Sequence, residues 1–278
     1  MKSLFKRATI YLFLPLVLMS MLYAVDASDI QLTDSQADII AQKVWKNEAN
    51  GDLKYLIHWN KNETFLSLGI AHFLWYAETN RAGYQEMFPL LVDYFKKHNV
   101  RLPDWLNGQT VCPWENRHDF MQAKERKTPK YRELYNLLVC TMPIQVNFII
   151  ERLQQALPKI LESLEPIKDA ERRKKIVKAY YRVLTPRDNK FSTNGIYIIL
   201  DYVNFKGEGT SVKERYQGEG WGLRQVLEEM NPETKDAYQA FADAAKRVLI
   251  RRIENAPPQQ NEIRWRKGWF QRIDSYSN

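Results

Sequence analysis

Cysteine and histidine are scarce: two and four among 278 residues. The histidines stand far apart, with no pair at the i, i+4 spacing of a helical metal site. A zinc site built from Cys112, His118 and Cys140 lacks both the usual ligand spacing and a fourth ligand. No P-loop, GxSxG elbow, HExxH or dinucleotide fingerprint occurs. Nucleotide-phosphate, α/β-hydrolase and zinc-peptidase chemistry therefore have no local signature, and no metal or cofactor is expected. Repeats and low-complexity linkers are absent too. Beyond residue 25 there is no second long apolar run, so the remainder is expected to be soluble, with no stable membrane span.

The start of the chain differs from the rest. Lys2, Lys6 and Arg7 precede an apolar run from Ala8 to Val25, and small residues follow at Val25-Asp26-Ala27. This pattern predicts a secretory signal peptide over residues 1–27. An uncleaved anchor is the alternative, because the run is nearly long enough to span a bilayer. No cysteine lies near the cleavage site, so a lipoprotein anchor has no support. The expected location is periplasmic or secreted. With residues 1–27 set aside, 251 residues remain, enough for one sizeable core. The net charge of +8 falls to +6, because three basic groups and Asp26 leave with that segment. A modest positive charge suits an anionic partner such as a cell-wall polymer or lipid headgroups. Export makes nucleic acid the least suited partner. In an exported chain Cys112 and Cys140 are disulfide candidates, with two buried thiols as the alternative.

Periodicity predicts a mainly helical α+β fold with a small β-hairpin, in a single domain over 28–278. Residues 34–48 carry Ala37, Ile40, Ala41 and Val44 at helical spacing, with Asp34 as a possible cap. Residues 51–76 hold turn residues Gly51, Asn60 and Asn62, then the β-prone run TFLSLGI, and predict a hairpin or small sheet. Helical patterns follow at 85–98, 117–125, 130–140, 143–164 and 168–184. The segment 195–205 is an apolar helix candidate central to the core, and 234–254 is a late amphipathic helix. The tail, with Pro257, Pro258, Trp265 and Trp269, is expected to be irregular.

Glu48 continues the apolar stripe of the first helix. A carboxyl in such a place is costly to ionise, so its pKa is expected to rise. A raised carboxyl can protonate a leaving group, and a glycosidic oxygen needs such an acid. A paired structural glutamate is the competing reading. Two glycine-flanked acids, KGEG at 206–209 and QGEGWG at 217–222, form a second cluster. Glu208 and Glu219, with Arg215, Tyr216, Gln217 and Trp221, supply the carboxylate, guanidinium, amide and aromatic groups that bind sugars. A glycine-rich connector is the alternative, and a calcium loop lacks enough oxygen ligands. Trp75 and Tyr76 are the candidates for sugar stacking, although most aromatics at regular spacing belong to a core.

The stretch SLGIAHFLWY, residues 67–76, follows the helix that carries Glu48. The combination resembles the phage-type lysozymes: a helix ending in glutamate, a polar loop with an acid, then Thr-Ile-Gly-x-Gly-His on a hairpin. Ser67, Leu68, Gly69, Ile70, Ala71 and His72 take the places of the hairpin motif. Serine keeps the hydroxyl, and Ala71 replaces the second glycine. The resemblance implies a lysozyme-like fold and Glu48 as general acid. It also implies that Ser67 holds water or a sugar oxygen and that His72 braces the hairpin. Glu63 is the nearest second acid, with Asp52 and the GEG acids as alternatives. If no second acid serves, the resemblance points to a lytic transglycosylase. Asn204, before Phe205-Lys206-Gly207, is similar to the family's groove motif in inverted order, and Arg251, Arg252 and Glu254 loosely fit a late RR-x-E pattern. The implied substrate is peptidoglycan or another β-1,4-linked amino-sugar glycan. A non-catalytic envelope protein, with a lysozyme-like cleft for glycan or a partner protein, is the second class.

Overall fold

The structure, a computed structural model, describes residues 30, 32–49, 52–61, 63–78, 86–187 and 190–277; within these, the side chains of Asp34, Glu48 and Ala49 lie outside the description. Residues 1–27, expected to be a signal peptide, also lie outside it. The chain is mainly helical with a small antiparallel sheet, as the periodicities predict. It divides into two compact units, Leu32–Arg152 and Leu153–Asn278, the latter together with the segment before Leu32.

The first unit opens with α1 (Asp34–Ala49). Thr33 caps it: the Gln36 N–H donates to Thr33 Oγ1 at 3.3 Å, and Gln36 Oε1 accepts from the Thr33 N–H at 3.0 Å, while the side chain of Asp34, the expected cap, lies outside the description. This reciprocal box satisfies amide donors that the helix leaves open. Ala37, Ile40, Ala41 and Val44 are buried, as their spacing requires. A 3-10 turn (Leu53–Tyr55) leads to the sheet β1 (Ile57–His58), β2 (Phe65–Leu68) and β3 (Phe73–Tyr76), antiparallel in the order β1-β2-β3. Phe65 pairs with Tyr76, and Leu68 with Phe73. Helices α2 (Phe88–Lys97), α3 (Arg117–Glu125) and α4 (Pro129–Cys140) follow, then α5 (Met142–Glu162), within which the units divide. Two aromatic contacts bind helix to sheet: Trp75 on Phe88 at 4.6 Å and Phe73 on Phe148 at 5.6 Å.

The β2–β3 turn is Gly69-Ile70-Ala71-His72. Gly69 and His72 take left-handed φ angles of 71° and 50°. A Cβ on Gly69 would lie 2.4 Å from Gln145 Oε1, so both the angle and the space call for glycine. Gln145 is fully buried on α5. Its Oε1 accepts from the Ile70 N–H at 3.0 Å, and its Nε2 donates to the Leu138 carbonyl at 2.7 Å. The side chain thus satisfies a turn amide and the end of α4 together.

The second unit contains α6 (Ala170–Leu184), α7 (Thr193–Lys206), the hairpin β4 (Arg215–Tyr216) and β5 (Glu219–Gly220), α8 (Leu223–Glu229), α9 (Ala237–Asn255) and α10 (Arg266–Asp274). Residues 195–203 of α7 are buried on every side, so it is the central helix. Arg173 closes α5 by donating to the carbonyls of Leu161 and Leu164. Asp201 on α7 is fully buried and receives two N–H bonds at 2.8 Å from Arg272, plus the Tyr276 hydroxyl at 2.6 Å. That cluster holds α10 in place; the tail before it, with Pro257, Pro258 and Trp265, runs in short 3-10 turns, so it is irregular only in its first part. Among the described residues no single helix is long and apolar enough to cross a membrane.

The expected disulfide is corrected: both cysteines are free. Cys112 is buried, its N–H bonded to the Tyr76 carbonyl at 2.9 Å, whereas Cys140 is exposed at the end of α4. Burial pushes the Cys112 thiol up to about 12, with Glu86 adding to the shift. Under native conditions a thiol reagent is expected to label Cys140 and spare Cys112, with both reacting in denaturant; two native reactive thiols would contradict this burial. Gly69→Ala is expected to destabilise the chain by about 1–3 kcal/mol from backbone strain, plus the Gln145 clash, as read by urea unfolding; an unchanged midpoint would contradict the turn geometry.

Candidate functional site

The expected site residues of the first unit fall into two groups. Glu48 is the penultimate residue of α1, and position 48 continues the Ile40, Val44 spacing. Its side chain lies outside the described residues. Glu63 sits just before β2, half-buried, with Oε2 buried and unpartnered. Its backbone carbonyl accepts from Trp59 Nε1 at 2.8 Å, which fixes the turn around it. Asp52 caps the 3-10 turn and pairs with Lys54 at 2.6 Å. The Lys54 contacts hold its carboxyl below the usual range, which suits a cap and not a proton donor.

The hairpin residues are corrected in part. Ser67 is 4% exposed, so its hydroxyl cannot meet a glycan without opening of the sheet. Trp75 and Tyr76 are core: Trp75 packs on Phe88 and donates to the Thr110 carbonyl, and Tyr76 meets Phe65 edge-on at 5.4 Å. Neither ring is available for sugar stacking. The physical reason is that β3 is covered on both faces at these positions. His72 stands in the β2–β3 turn, half-buried.

In the second unit the two GEG stretches meet each other. Gly207, with φ 75°, ends α7, and its carbonyl accepts from the Leu223 N–H at 2.9 Å. A Cβ on Gly209 would lie 2.2 Å from Gln225 Oε1, and one on Gly222 would lie 2.2 Å from the Gly209 nitrogen. Gln225 fastens both: its Nε2 donates to the Gly209 carbonyl at 3.1 Å and its Oε1 accepts from the Gly222 N–H at 3.0 Å. These glycines serve close backbone contact. Between them β4 and β5 form a two-residue hairpin, with Gln217 and Gly218 both left-handed, the primed turn that suits strand twist. Gln217 and Glu219 are at its exposed tip, Gln217 within 3.5 Å of the Asn255 carbonyl and Glu219 3.6 Å from Arg251.

The hairpin and its neighbours hold a charged aromatic cluster. Tyr216 donates its hydroxyl to Glu262 at 3.0 Å and lies 4.7 Å from Trp221. Arg252 on α9 gives Glu262 a bidentate bond at 2.6 and 2.7 Å while covering Trp221 at 4.0 Å. Burial works against the Glu262 charge, but the Arg252 bonds outweigh it and hold the carboxyl low. Lys206, at the last turn of α7, points its ammonium at Trp269 at 3.6 Å and at Phe205 at 4.0 Å. Burial, and then Arg252, push Lys206 down to about 6. Asn204 and Arg215 are half-buried at the edges of this region.

Two carboxylates here have different surroundings. Glu208 faces Lys159 at 3.6 Å. Glu214, absent from the sequence-derived candidates, is raised by burial and by Glu208. A Cβ on Gly207 would lie 3.3 Å from Glu214 Oε2, so glycine also makes room for this carboxylate. Sequence reading passed over Glu214 because it lacks flanking glycines; its place three residues before the Gln217-Gly218 turn was the available signal. Among the described residues no group of three or more His, Cys, Asp or Glu side chains could hold a metal ion. No known protein family, curated protein or solved structure matches the chain.

Lys206 predicts a pH signature. Folded, it holds its proton only below about 6; unfolded, up to the ordinary 10.5. The unfolded chain therefore binds more protons between those values, and this contribution to stability rises with pH across that window. Urea midpoints from pH 6 to 9 should rise more steeply for wild type than for Lys206→Met; parallel slopes would contradict the assignment.

Proposed function

We propose that this chain is an exported glycoside-cleaving protein that acts on peptidoglycan or a related β-1,4-linked amino-sugar polymer. The observation that carries the reading is local order: α1 ends at Glu48, and a three-stranded antiparallel sheet follows whose β2–β3 turn is Gly69-Ile70-Ala71-His72 with glycine in the left-handed conformation. That succession is similar to the lysozyme-like arrangement of acid-bearing helix and hairpin. Glu48 would act as general acid. Its place in the sequence continues the Ile40, Val44 spacing, which is the ground for giving it that role. Glu63, whose Oε2 has no partner, is the second acid in the same unit. It would stabilise the positive sugar ring or activate water. His72 would hold the turn, and Ser67, being buried, would contribute to packing. Glu208, Arg215, Tyr216 and Trp221, together with Glu214, offer polar and aromatic groups for glycan binding in the second unit.

A second reading is a non-catalytic envelope protein that binds glycan or a partner protein. It is favoured by the burial of Ser67, Trp75 and Tyr76, which leaves the hairpin motif mostly structural.

The test is digestion of purified peptidoglycan by the mature protein, beside Glu48→Gln, with products read by mass spectrometry. Soluble fragments from wild type, reduced about 100-fold or more in the variant, are the expected result. Anhydro ends would identify a lytic transglycosylase and reducing ends a hydrolase. A folded wild type that releases nothing, from peptidoglycan or chitosan, would overturn cleavage and leave the binding reading.

A further inference from the structure

The stretch Ile263-Arg264-Trp265-Arg266-Lys267 places two large apolar side chains and three cations side by side. All five residues are exposed, Ile263 at 54% and Trp265 at 51%. The chain around them is held from within. Asn261, at φ 45°, turns the backbone, and a 3-10 turn (Glu262–Trp265) then runs straight into α10. Glu262 is buried and takes the bidentate Arg252 bond and the Tyr216 hydroxyl, which fixes the backbone beside Ile263. Farther on, Trp269 is half-buried over Lys206 and Ile273 is fully buried; four residues apart, they set the inward side of α10. Folding therefore presents the five side chains outward on a fixed support. The charge there is of one sign. No acid occurs between Ile263 and Ile273. Of the flanking carboxylates, Glu262 is bonded to Arg252 and Asp274 to Lys246; the next acid back along the chain is Glu254, exposed on α9. Arg266 and Lys267 open α10, the end at which the helix dipole disfavours cations, so helix stability does not account for them.

We propose that residues 263–267 form a docking surface for an anionic lipid bilayer. Arg264, Arg266 and Lys267 would meet the phosphate headgroups, while Ile263 and Trp265 enter the boundary between headgroups and acyl chains. Tryptophan suits that depth, with an apolar body and a polar N–H. Arg264 lies over one face of Trp265 at 4.9 Å, and half of the residue stays open. The aliphatic Ile263 decides against a nucleic acid or a charged glycan, neither of which offers it an apolar layer. The support is already ordered, so little conformational entropy is lost on docking. The proposal rests on neither Glu48 nor the glycan reading.

The mature protein, without residues 1–27, can be floated with phosphatidylcholine vesicles that contain or lack phosphatidylglycerol, at low and high salt. Binding is expected only with phosphatidylglycerol present, and should weaken as salt rises. Arg264→Gln, Arg266→Gln and Lys267→Gln should each weaken it about 5-fold. Ile263→Ser combined with Trp265→Ser should weaken it about 10-fold or more. All five side chains are exposed, so these variants should keep the wild-type circular dichroism. Depth is read with lipids brominated in the acyl chain. They should quench tryptophan emission in wild type, and Trp265→Phe should still bind but lose that quenching. Glu48→Gln should bind vesicles as wild type does, so this surface and the cleavage reading can fail separately. Equal binding to neutral vesicles, no binding to either kind, or binding that survives removal of all three cations would overturn the proposal. So would tighter binding to RNA or soluble polyphosphate than to vesicles, without quenching by the brominated chains; the stretch would then serve a polyanion.

Discussion

Two bidentate arginine–carboxylate pairs organise the second unit, Arg272 on Asp201 and Arg252 on Glu262. Asp201 lies in the middle of a helix buried on all sides, where a lone charge would be costly. Arg272 and Tyr276 satisfy it, and in doing so they bring α10 onto α7. Glu262 performs the same service for Arg252, anchoring the segment after α9 and fixing the Tyr216 hydroxyl at the base of the β4–β5 hairpin. Both pairs are bidentate, which consumes the carboxylate oxygens. Lys206 is the third cation of this cluster. Its burial among rings pushes it down to about 6, so at neutral pH it has given up its proton.

The glycines around this cluster are as constrained as the charges. Gly207, Gly209 and Gly222 let two chain segments touch backbone to backbone, with Gln225 bonded to both. This gives the hairpin a rigid base and holds Glu208 and Glu214 beside α7. In the first unit Gln145 plays a similar part for the β2–β3 turn, where glycine supplies the angle and a buried amide supplies the bond. In both units a buried glutamine amide holds a turn in place.

The helical skeleton was legible in the sequence because its apolar stripes are long. The pattern over 117–125 coincides with α3, and 34–48, 130–140 and 195–205 differ from α1, α4 and α7 by one or two residues at an end. Short elements escaped. α8 has seven residues, too few for a period to repeat, and β4–β5 has two per strand. α10 was hidden because its anchor, Arg272 on Asp201, spans 71 residues of sequence. Site residues were less legible still. Alternation in FLWY does not reveal that Trp75 is covered on both sides, and the spacing of Cys112 and Cys140 does not reveal that one faces the core and the other solvent. Glu214 and Lys206 owe their character to neighbours distant in sequence.

Among the cations of the aromatic cluster, burial acts most strongly on the Lys206 amine. Its protonation can be followed directly in the full chain by NMR of 13C-labelled lysine, assigned with Lys206→Arg. A side-chain resonance that titrates near pH 6 is the predicted result. A Lys206 resonance that titrates at the ordinary lysine value near 10.5 would contradict the account.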